Sequence, residues 1–285
     1  DELTEEEEKK KKEKRHVIEV GKNFKYAHIY TTTIEKENEA ERKVQRLTGG
    51  DFHVNSFDWS PDGKTIVFSH KANPKINTSR IDANISLVAS DSSALKLIVS
   101  RPGPDTNPKF SPDGKRIAFQ STGGRPEPIG MNDIYVVSKD GTGLKKLTNT
   151  PDRNANISCW GAEGKSIYFT ETLRTSKVLY NMSVEASTTS QITLMSDANG
   201  VSTNYSLNPR TNEMAFIFQD PNTPPELYFS EINGKNLLKL STINSDTPLP
   251  KMGKTELIKW VSKDGMEIEG LLTYPVNYKK GEKVP

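Results

Sequence analysis

The chain has 285 residues, of which 33% are hydrophobic, with 39 lysines and arginines against 37 aspartates and glutamates. A net charge of +2 gives no support for a nucleic-acid or anionic-membrane partner, and no apolar run approaches the roughly 18 residues that a helical membrane span requires. The single cysteine, Cys159, excludes an internal disulfide and a multi-cysteine metal site, and the length fits one large domain or two ordinary ones.

The first fifteen residues carry seven acids (Asp1, Glu2, Glu5 to Glu8, Glu13) and six bases (Lys9 to Lys12, Lys14, Arg15). Acids followed four residues later by lysines favour an exposed helix, and the segment reads as a charged spacer over residues 1–16 rather than a docking tail. No signal-peptide pattern opens the chain, and Asp1 stands where a Met begins a gene product, so the natural N-terminus and any targeting segment are expected upstream. The compartment stays open between cytoplasm and periplasm.

From residue 16 onward the sequence reads as strands: short alternating runs of Val, Ile, Phe and Tyr separated by Asp-Gly, Asn-Gly and Pro-containing turns. These runs repeat. Trp59-Ser60-Pro61-Asp62-Gly63-Lys64 leads into Thr65-Ile66-Val67-Phe68, and Phe110-Ser111-Pro112-Asp113-Gly114-Lys115 leads into Arg116-Ile117-Ala118-Phe119. A degenerate copy, Trp160-Gly161-Ala162-Glu163-Gly164-Lys165, precedes Ser166-Ile167-Tyr168-Phe169, and a fourth retains Asn208-Pro209 and Asn212 before Glu213-Met214-Ala215-Phe216. The strand-ending phenylalanines Phe68, Phe119, Phe169 and Phe216 are 51, 50 and 47 residues apart. Tyrosine-bearing strands at Tyr30, Tyr135, Tyr180 and Tyr228 (Ser86 in the remaining copy) form a second ladder, and Leu47, Ile98, Leu147, Ile192 and Leu240 a third.

Four short antiparallel strands per period of roughly 48 residues make a β-propeller blade. The Asp-Gly turns reverse the chain between the first and second strands because Gly accepts a positive φ. The fold class is therefore all-β, a partial propeller of about four and a half four-stranded blades over residues 17–247. The half blade comes from Ile29 to Leu47, which supplies only two strands. Unless Val17-Ile18-Glu19-Val20 helps to fill the gap the ring cannot close neatly, so the chain is expected to be a fragment of a longer propeller.

The Ser-Pro-Asp-Gly-Lys blades resemble the propeller of the prolyl oligopeptidase family, in its acylaminoacyl-peptidase and dipeptidyl-peptidase-like branch, although TolB-type propellers share the blade motif. The segment Thr255-Glu256-Leu257-Ile258-Lys259-Trp260, continued by Ser262-Lys263-Asp264-Gly265 and Met266 to Pro275, is similar to the stretch by which these peptidases leave the propeller. The resemblance implies that residues 248–285 are a connector and the opening hairpin of an α/β-hydrolase domain. It implies further that Pro285 stands where the family's next strand and its His-Gly-Gly segment begin. The family's Ser, Asp and His then lie beyond this chain, and no position here matches them.

The residues agree with that division. There is no Gly-x-Ser-x-Gly elbow, and His16, His28, His53 and His70 show no zinc spacing. Gly164-Lys165-Ser166 imitates the end of a phosphate loop, but position 159 is Cys where Gly is required. Cys159 reads as a buried small hydrophobe, and Glu35 and Glu37 as hairpin surface. Catalytic residues, metal ligands and cofactors are thus expected to be absent.

In a propeller with strands running outward from first to fourth, the second-to-third loops and the blade-to-blade loops share one face. The former read as long, at His70 to Ala83, Thr122 to Asn132, Glu171 to Lys177 and Gln219 to Pro225, and functional loops gather where insertions are carried. Arg125 and Glu127 on this face, with Asp152 and Arg153 in the next blade-to-blade loop, are the candidate peptide-binding residues, since Arg offers a planar bidentate donor to a carboxylate. The expected function is a non-catalytic, substrate-selecting gate of a serine peptidase that cleaves short peptides, its partners a peptide and the missing hydrolase domain. A stand-alone TolB-like interaction module is the alternative, and oligomeric state stays open.

Overall fold

A computed structural model describes residues 4–15, 25–33, 42–91, 94–127, 131–147, 149–192, 200–221, 223–244 and 250–283. The readings of Val17 to Val20 as a gap-filling strand and of Glu35 and Glu37 as hairpin surface lie outside the described residues.

The charged N-terminal segment forms helix α1 (Glu5–Lys12), exposed and braced by a Lys10–Glu6 pair at 2.7 Å. Strands β1 (Tyr30–Thr32) and β2 (Val44–Arg46) pair antiparallel as an isolated two-stranded sheet. Blade 1 follows with β3 (His53–Trp59), β4 (Thr65–Lys71), the short helix α2 (Ile76–Ile81), β5 (Asp82–Ala89) and β6 (Leu95–Val99). Blade 2 comprises β7 (Gly103–Phe110), β8 (Arg116–Ser121), β9 (Asp133–Ser138) and β10 (Lys145–Lys146). Blade 3 holds β11 (Asn156–Trp160), β12 (Ser166–Leu173), β13 (Ser176–Ser183) and β14 (Thr189–Ile192). Blade 4 holds β15 (Val201–Asn208), β16 (Glu213–Asp220), β17 (Thr223–Glu231) and β18 (Leu238–Lys239), and the hairpin β19 (Thr255–Val261) and β20 (Glu267–Thr273) ends the described chain. Every blade is an antiparallel meander, and a short parallel pairing of Asp82 with Gly103 and Ala83 with Pro104 joins blades 1 and 2 into one eight-stranded sheet.

The repeated turn has a physical cause. Ser60 Oγ donates to Asp62 Oδ1 at 2.6 Å, Asp62 Oδ1 accepts the Lys64 amide at 3.0 Å, and the Thr65 amide donates to Ser60 Oγ at 2.9 Å. Gly63 completes the reversal at φ +69°. Ser111, Asp113 and Arg116 repeat these bonds at 2.6, 3.1 and 2.9 Å. The donated bonds, from serine first and then from the backbone amide, hold the Asp62 and Asp113 carboxyls below the usual carboxylate range.

The core lies between blades, not within them. Phe68, Phe119, Phe169 and Phe216 are each 0% exposed. Val67, Ile85, Leu87 and Val99 of blade 1 pack against Phe110, Ile117, Phe119 and Val137 of blade 2, and the other junctions repeat the scheme. Flat sheets stacked about 10 Å apart must bury both faces, so each strand alternation supplies both neighbours.

The structure corrects four readings. The connections at Glu171 to Lys177 and Gln219 to Pro225 are tight hairpins, because β12 and β16 extend to Leu173 and Asp220, and Leu173 pairs with Ser176 and Asp220 with Thr223. The loop from His70 to Ala83 holds helix α2. The third ladder runs through Val99, which pairs with Ile85, because a bulge between Ile85 and Ser86 shifts the register by one. Cys159 is half-buried, and burial still pushes its thiol up to about 11, which leaves it unreactive.

Candidate functional site

The innermost strands β3, β7, β11 and β15 each carry a bulge, between Val54 and Ser56, Thr106 and Lys109, Ile157 and Cys159, and Thr203 and Ser206. A bulge bends its strand and turns side chains out of the ladder. Here the bulges turn toward one another around an axial cleft of about 590 Å³. Asparagines recur on its wall, Asn55, Asn107, Asn156 and Asn204, three or four residues ahead of Trp59, Phe110, Trp160 and Leu207. Asn107 and Asn204 adopt left-handed φ values of +49° and +52°, which asparagine tolerates better than most residues.

Asn107 stitches three blades together. Its Nδ2 donates to Gln120 Oε1 at 2.6 Å and to the Ile157 carbonyl at 2.9 Å, while its amide donates to Ser56 Oγ at 3.2 Å. Two cations, Lys109 and Lys177, also line the cleft, and among the described residues no aspartate or glutamate does. Lys109 Nζ lies 3.7 Å from Asp58 Oδ1. Burial pushes the Asp58 carboxyl up, opposed by the bond it accepts from the Phe110 amide at 2.8 Å and by Lys109. The cleft thus presents amides, hydroxyls and ammonium groups, a set suited to an extended polar or anionic ligand.

The four sequence candidates sit elsewhere, on the second-to-third-strand and blade-to-blade face. Arg125 and Glu127 are half-exposed on the loop after β8, 3.8 Å apart, with Arg125 Nε donating to the Thr122 carbonyl at 3.1 Å and Thr122 Oγ1 to the Arg125 carbonyl at 2.6 Å. Arg153 turns inward, its Nη2 2.9 Å from Asp133 Oδ2, where Lys146 Nζ also reaches at 2.8 Å. Burial pushes Asp133 up, but the bonds from Arg153 and Lys146 outweigh it and hold the carboxyl below its ordinary value. The Asp152 amide donates to Glu171 Oε2 at 2.9 Å, and the Asn154 amide to Oε1 at 3.0 Å. Asp152 and Arg153 are therefore brought together with Asp133 and Glu171, whereas Arg125 and Glu127 form a separate pair, and none of the four lines the axial cleft. Lys109, Lys177 and the asparagines were missed, although the recurring Asn before each blade's first aromatic is visible in the sequence.

A serine and a histidine do meet in blade 1, within the field of the Asp82 carboxylate, and the arrangement is structural. His70 Nε2 lies 2.9 Å from Ser86 Oγ, but Ser86 is 3% exposed and the imidazole packs against Phe52 and Phe68 at 5.0 and 5.4 Å. Burial lowers the His70 pKa, with the Asp82 charge opposing. A nucleophile sealed beneath two phenylalanines has no access to a substrate. Among the described residues no cluster of three metal-ligating side chains occurs, and no helix is long and apolar enough to cross a membrane.

The hairpin β19–β20 approaches the face that carries the candidate loops. Arg174, at the tip of the β12–β13 turn, pairs through Nη1 with Glu267 at 2.7 Å and Glu269 at 2.6 Å, and Lys259 Nζ joins Glu269 at 2.8 Å.

Residues 82–252 match the family model described as the TolB beta propeller domain, PD40. Among curated proteins the chain is 25% identical over 245 residues to a protein named probable dipeptidyl-peptidase 5 of Aspergillus niger, covering 80% of this chain and 33% of that protein. Among solved structures it resembles the Pyrococcus horikoshii acylaminoacyl peptidase with a TM-score of 0.57 and 20% identity, covering 86% of this chain and 35% of that one. It also resembles TolB of Acinetobacter baumannii with a TM-score of 0.54 and 17% identity, covering 81% and 54%. The chain spans about a third of the length of the curated relatives it matches.

Proposed function

Because the chain belongs to the PD40 family of TolB β-propeller domains, we propose that it is the substrate-selecting propeller of a serine peptidase that cleaves short peptides. In this reading residues 17–247 form the gate, and residues 248–285 are the connector and opening hairpin of the hydrolase domain. The observation that carries it is the Arg174–Glu267–Glu269 bridge, which holds that hairpin over the face where the second-to-third-strand loops emerge. A hydrolase built onto β19 and β20 covers the mouth of the axial cleft, so a substrate passes Lys109, Lys177 and the asparagine ring or the loop pair Arg125 and Glu127. Relatives named dipeptidyl-peptidase 5 support peptides as the ligand class.

In this reading the propeller supplies no bond-breaking group. Its part is to admit chains thin enough for a cleft of about 590 Å³ and to hold a peptide carboxylate, with Asp152 and Arg153 bracing the wall through Asp133 and Glu171. The test uses peptidyl p-nitroanilides. The 285-residue chain alone is expected to give no turnover, and turnover by it overturns the assignment. In a gene product that also carries the hydrolase domain, Arg125→Ala is expected to raise KM severalfold with kcat little changed; unchanged KM and kcat remove Arg125 from the site. The alternative, an interaction module of TolB type, leaves β19 and β20 without a use.

A further inference from the structure

Equal repeat positions in the four blades isolate one cation on the wall of the axial cleft. Leu179 of β13 stands where Ile85, Ile134 and Leu227 stand in the other third strands. Two places before it blade 3 carries Lys177, whereas blades 1, 2 and 4 carry the uncharged Ala83, Asn132 and Pro225. The second cation of the cleft and the nearest cation along the chain are each matched by acids. Lys109 Nζ lies 3.7 Å from Asp58 Oδ1, and Arg174, three residues before Lys177, binds Glu267 and Glu269. Lys177 is half-buried on the cleft wall, and among the described residues no carboxylate oxygen comes within 4 Å of its ammonium group.

The side-chain amides of the cleft divide in the same way. Asn107 spends its donors inside the protein, on Gln120 Oε1, the Ile157 carbonyl and, at 3.3 Å, Asn156 Oδ1. The side-chain amides of Asn55 and Asn204 and the Nδ2 of Asn156 have no hydrogen-bond partner among the described residues. A carboxamide offers donors and an acceptor together, the complement of a peptide group's C=O and N–H, so several along one cleft fit an extended backbone. These amides do not discriminate charge. Lys177 does. A ligand carboxylate beside it gains an attraction that no acidic lining residue among the described ones opposes, and a basic ligand side chain meets repulsion.

We propose that Lys177 sets the charge specificity of the axial cleft, which takes extended peptides bearing a carboxylate at that point and disfavours neutral and basic ones. The inference rests on the reading of the cleft as a peptide path and narrows it from peptides in general to acidic peptides. Lys177 takes part in no bond-breaking step; it acts on affinity alone. Because its ammonium group is only half-buried, the attraction is screened by salt and is worth a severalfold preference rather than several orders of magnitude.

The test is binding to the 285-residue chain, which requires no turnover. The probes are acetyl-Gly-Glu-Gly-Glu-Gly-amide and the same peptide with Gln for Glu, titrated to millimolar concentration while the side-chain amide resonances of Asn156 and Asn204 are followed by NMR. At about 20 mM salt the glutamate peptide is expected to bind at least about fivefold more tightly than the glutamine peptide, and at about 0.5 M salt the preference is expected to shrink to about twofold or less. In the Lys177→Gln protein the preference is expected to disappear while the glutamine peptide binds as before. Equal binding of the two peptides to the unmodified chain overturns the proposal and leaves the peptide path standing, as does a preference that survives in Lys177→Gln. If neither peptide moves the two asparagine resonances, the peptide path falls and the proposal with it. Digalacturonate carries the same number of carboxylates without a peptide backbone; tighter binding of it than of the glutamate peptide overturns the proposed ligand and assigns the cleft to acidic sugars.

Discussion

Asp133 receives two cations in a site where its carboxylate is 4% exposed, and that pairing, rather than exposure to substrate, accounts for Arg153. Removing the Asp133 carboxylate takes the counter-charge and two charge-assisted hydrogen bonds from Arg153 and Lys146, which are themselves 27% and 35% exposed. Asp133→Ala is therefore expected to cost about 1.5–3 kcal/mol in urea unfolding, and a loss near zero shows that the cluster is solvated. The histidines give a second outcome at this scale. Burial is the first cause lowering the pKa of His28, His53 and His70; Arg46 and His53 add to it at His28, Lys71 at His53, and Asp82 opposes at His70. A depressed value means that the unfolded chain binds more protons, so stability is complete above the ordinary histidine value near 6.5 and declines as pH falls below it. The urea midpoint is expected to be lower at pH 5 than at pH 7.5, with a smaller decline in His70→Gln. Equal midpoints at the two pH values dispose of the idea. Arg153 shows why a charged loop residue is legible as a candidate while its partner is not: Asp133 lies twenty residues away in sequence.

At the scale of the element, a strand's fate depends on whether a neighbouring blade covers it. Phe169 is 0% exposed between blades 2 and 3, and Phe169→Ala is expected to cost about 3–5 kcal/mol, the transfer and cavity contributions together. Trp59→Ala, at a position 43% exposed, is expected to cost less than half as much. A loss for Trp59→Ala as large as that for Phe169→Ala overturns the contrast. The blades themselves were legible, because two-residue alternation and the Ser-x-Asp-Gly turn are local properties. The extension of β12 to Leu173 and β16 to Asp220 was not legible, since Thr-Glu-Thr is acceptable as loop or strand until a partner strand pairs with it. The bulge that substitutes Val99 for Ile98 likewise appears only when β5 and β6 are in register.

For the whole molecule, the ion pairs of Arg174 with Glu267 and Glu269 join blade 3 to the C-terminal hairpin. Exposed ion pairs add little to global stability, so Arg174→Ala is expected to leave the thermal midpoint of the blades unchanged while speeding amide exchange across residues 255–273. Unchanged exchange there means that other contacts hold the hairpin. The hairpin bares Leu257, Trp260, Val261 and Leu271, a concentration of apolar surface that the blades do not cover.

Repeat period, strand count, turn chemistry and the family resemblance all follow from residues within about 50 positions of one another, and the amino-acid sequence alone determined them. The axial cleft, the cation pair on Asp133 and the exposure of Trp59 against the burial of Trp160 did not follow. Each depends on which blade faces which and on how far each inner strand bends. Side chains from β3, β7, β11 and β15, roughly 50 residues apart along the chain, share a wall only after four bulges have turned them inward. A local pattern specifies a blade, and stacking the blades creates the site.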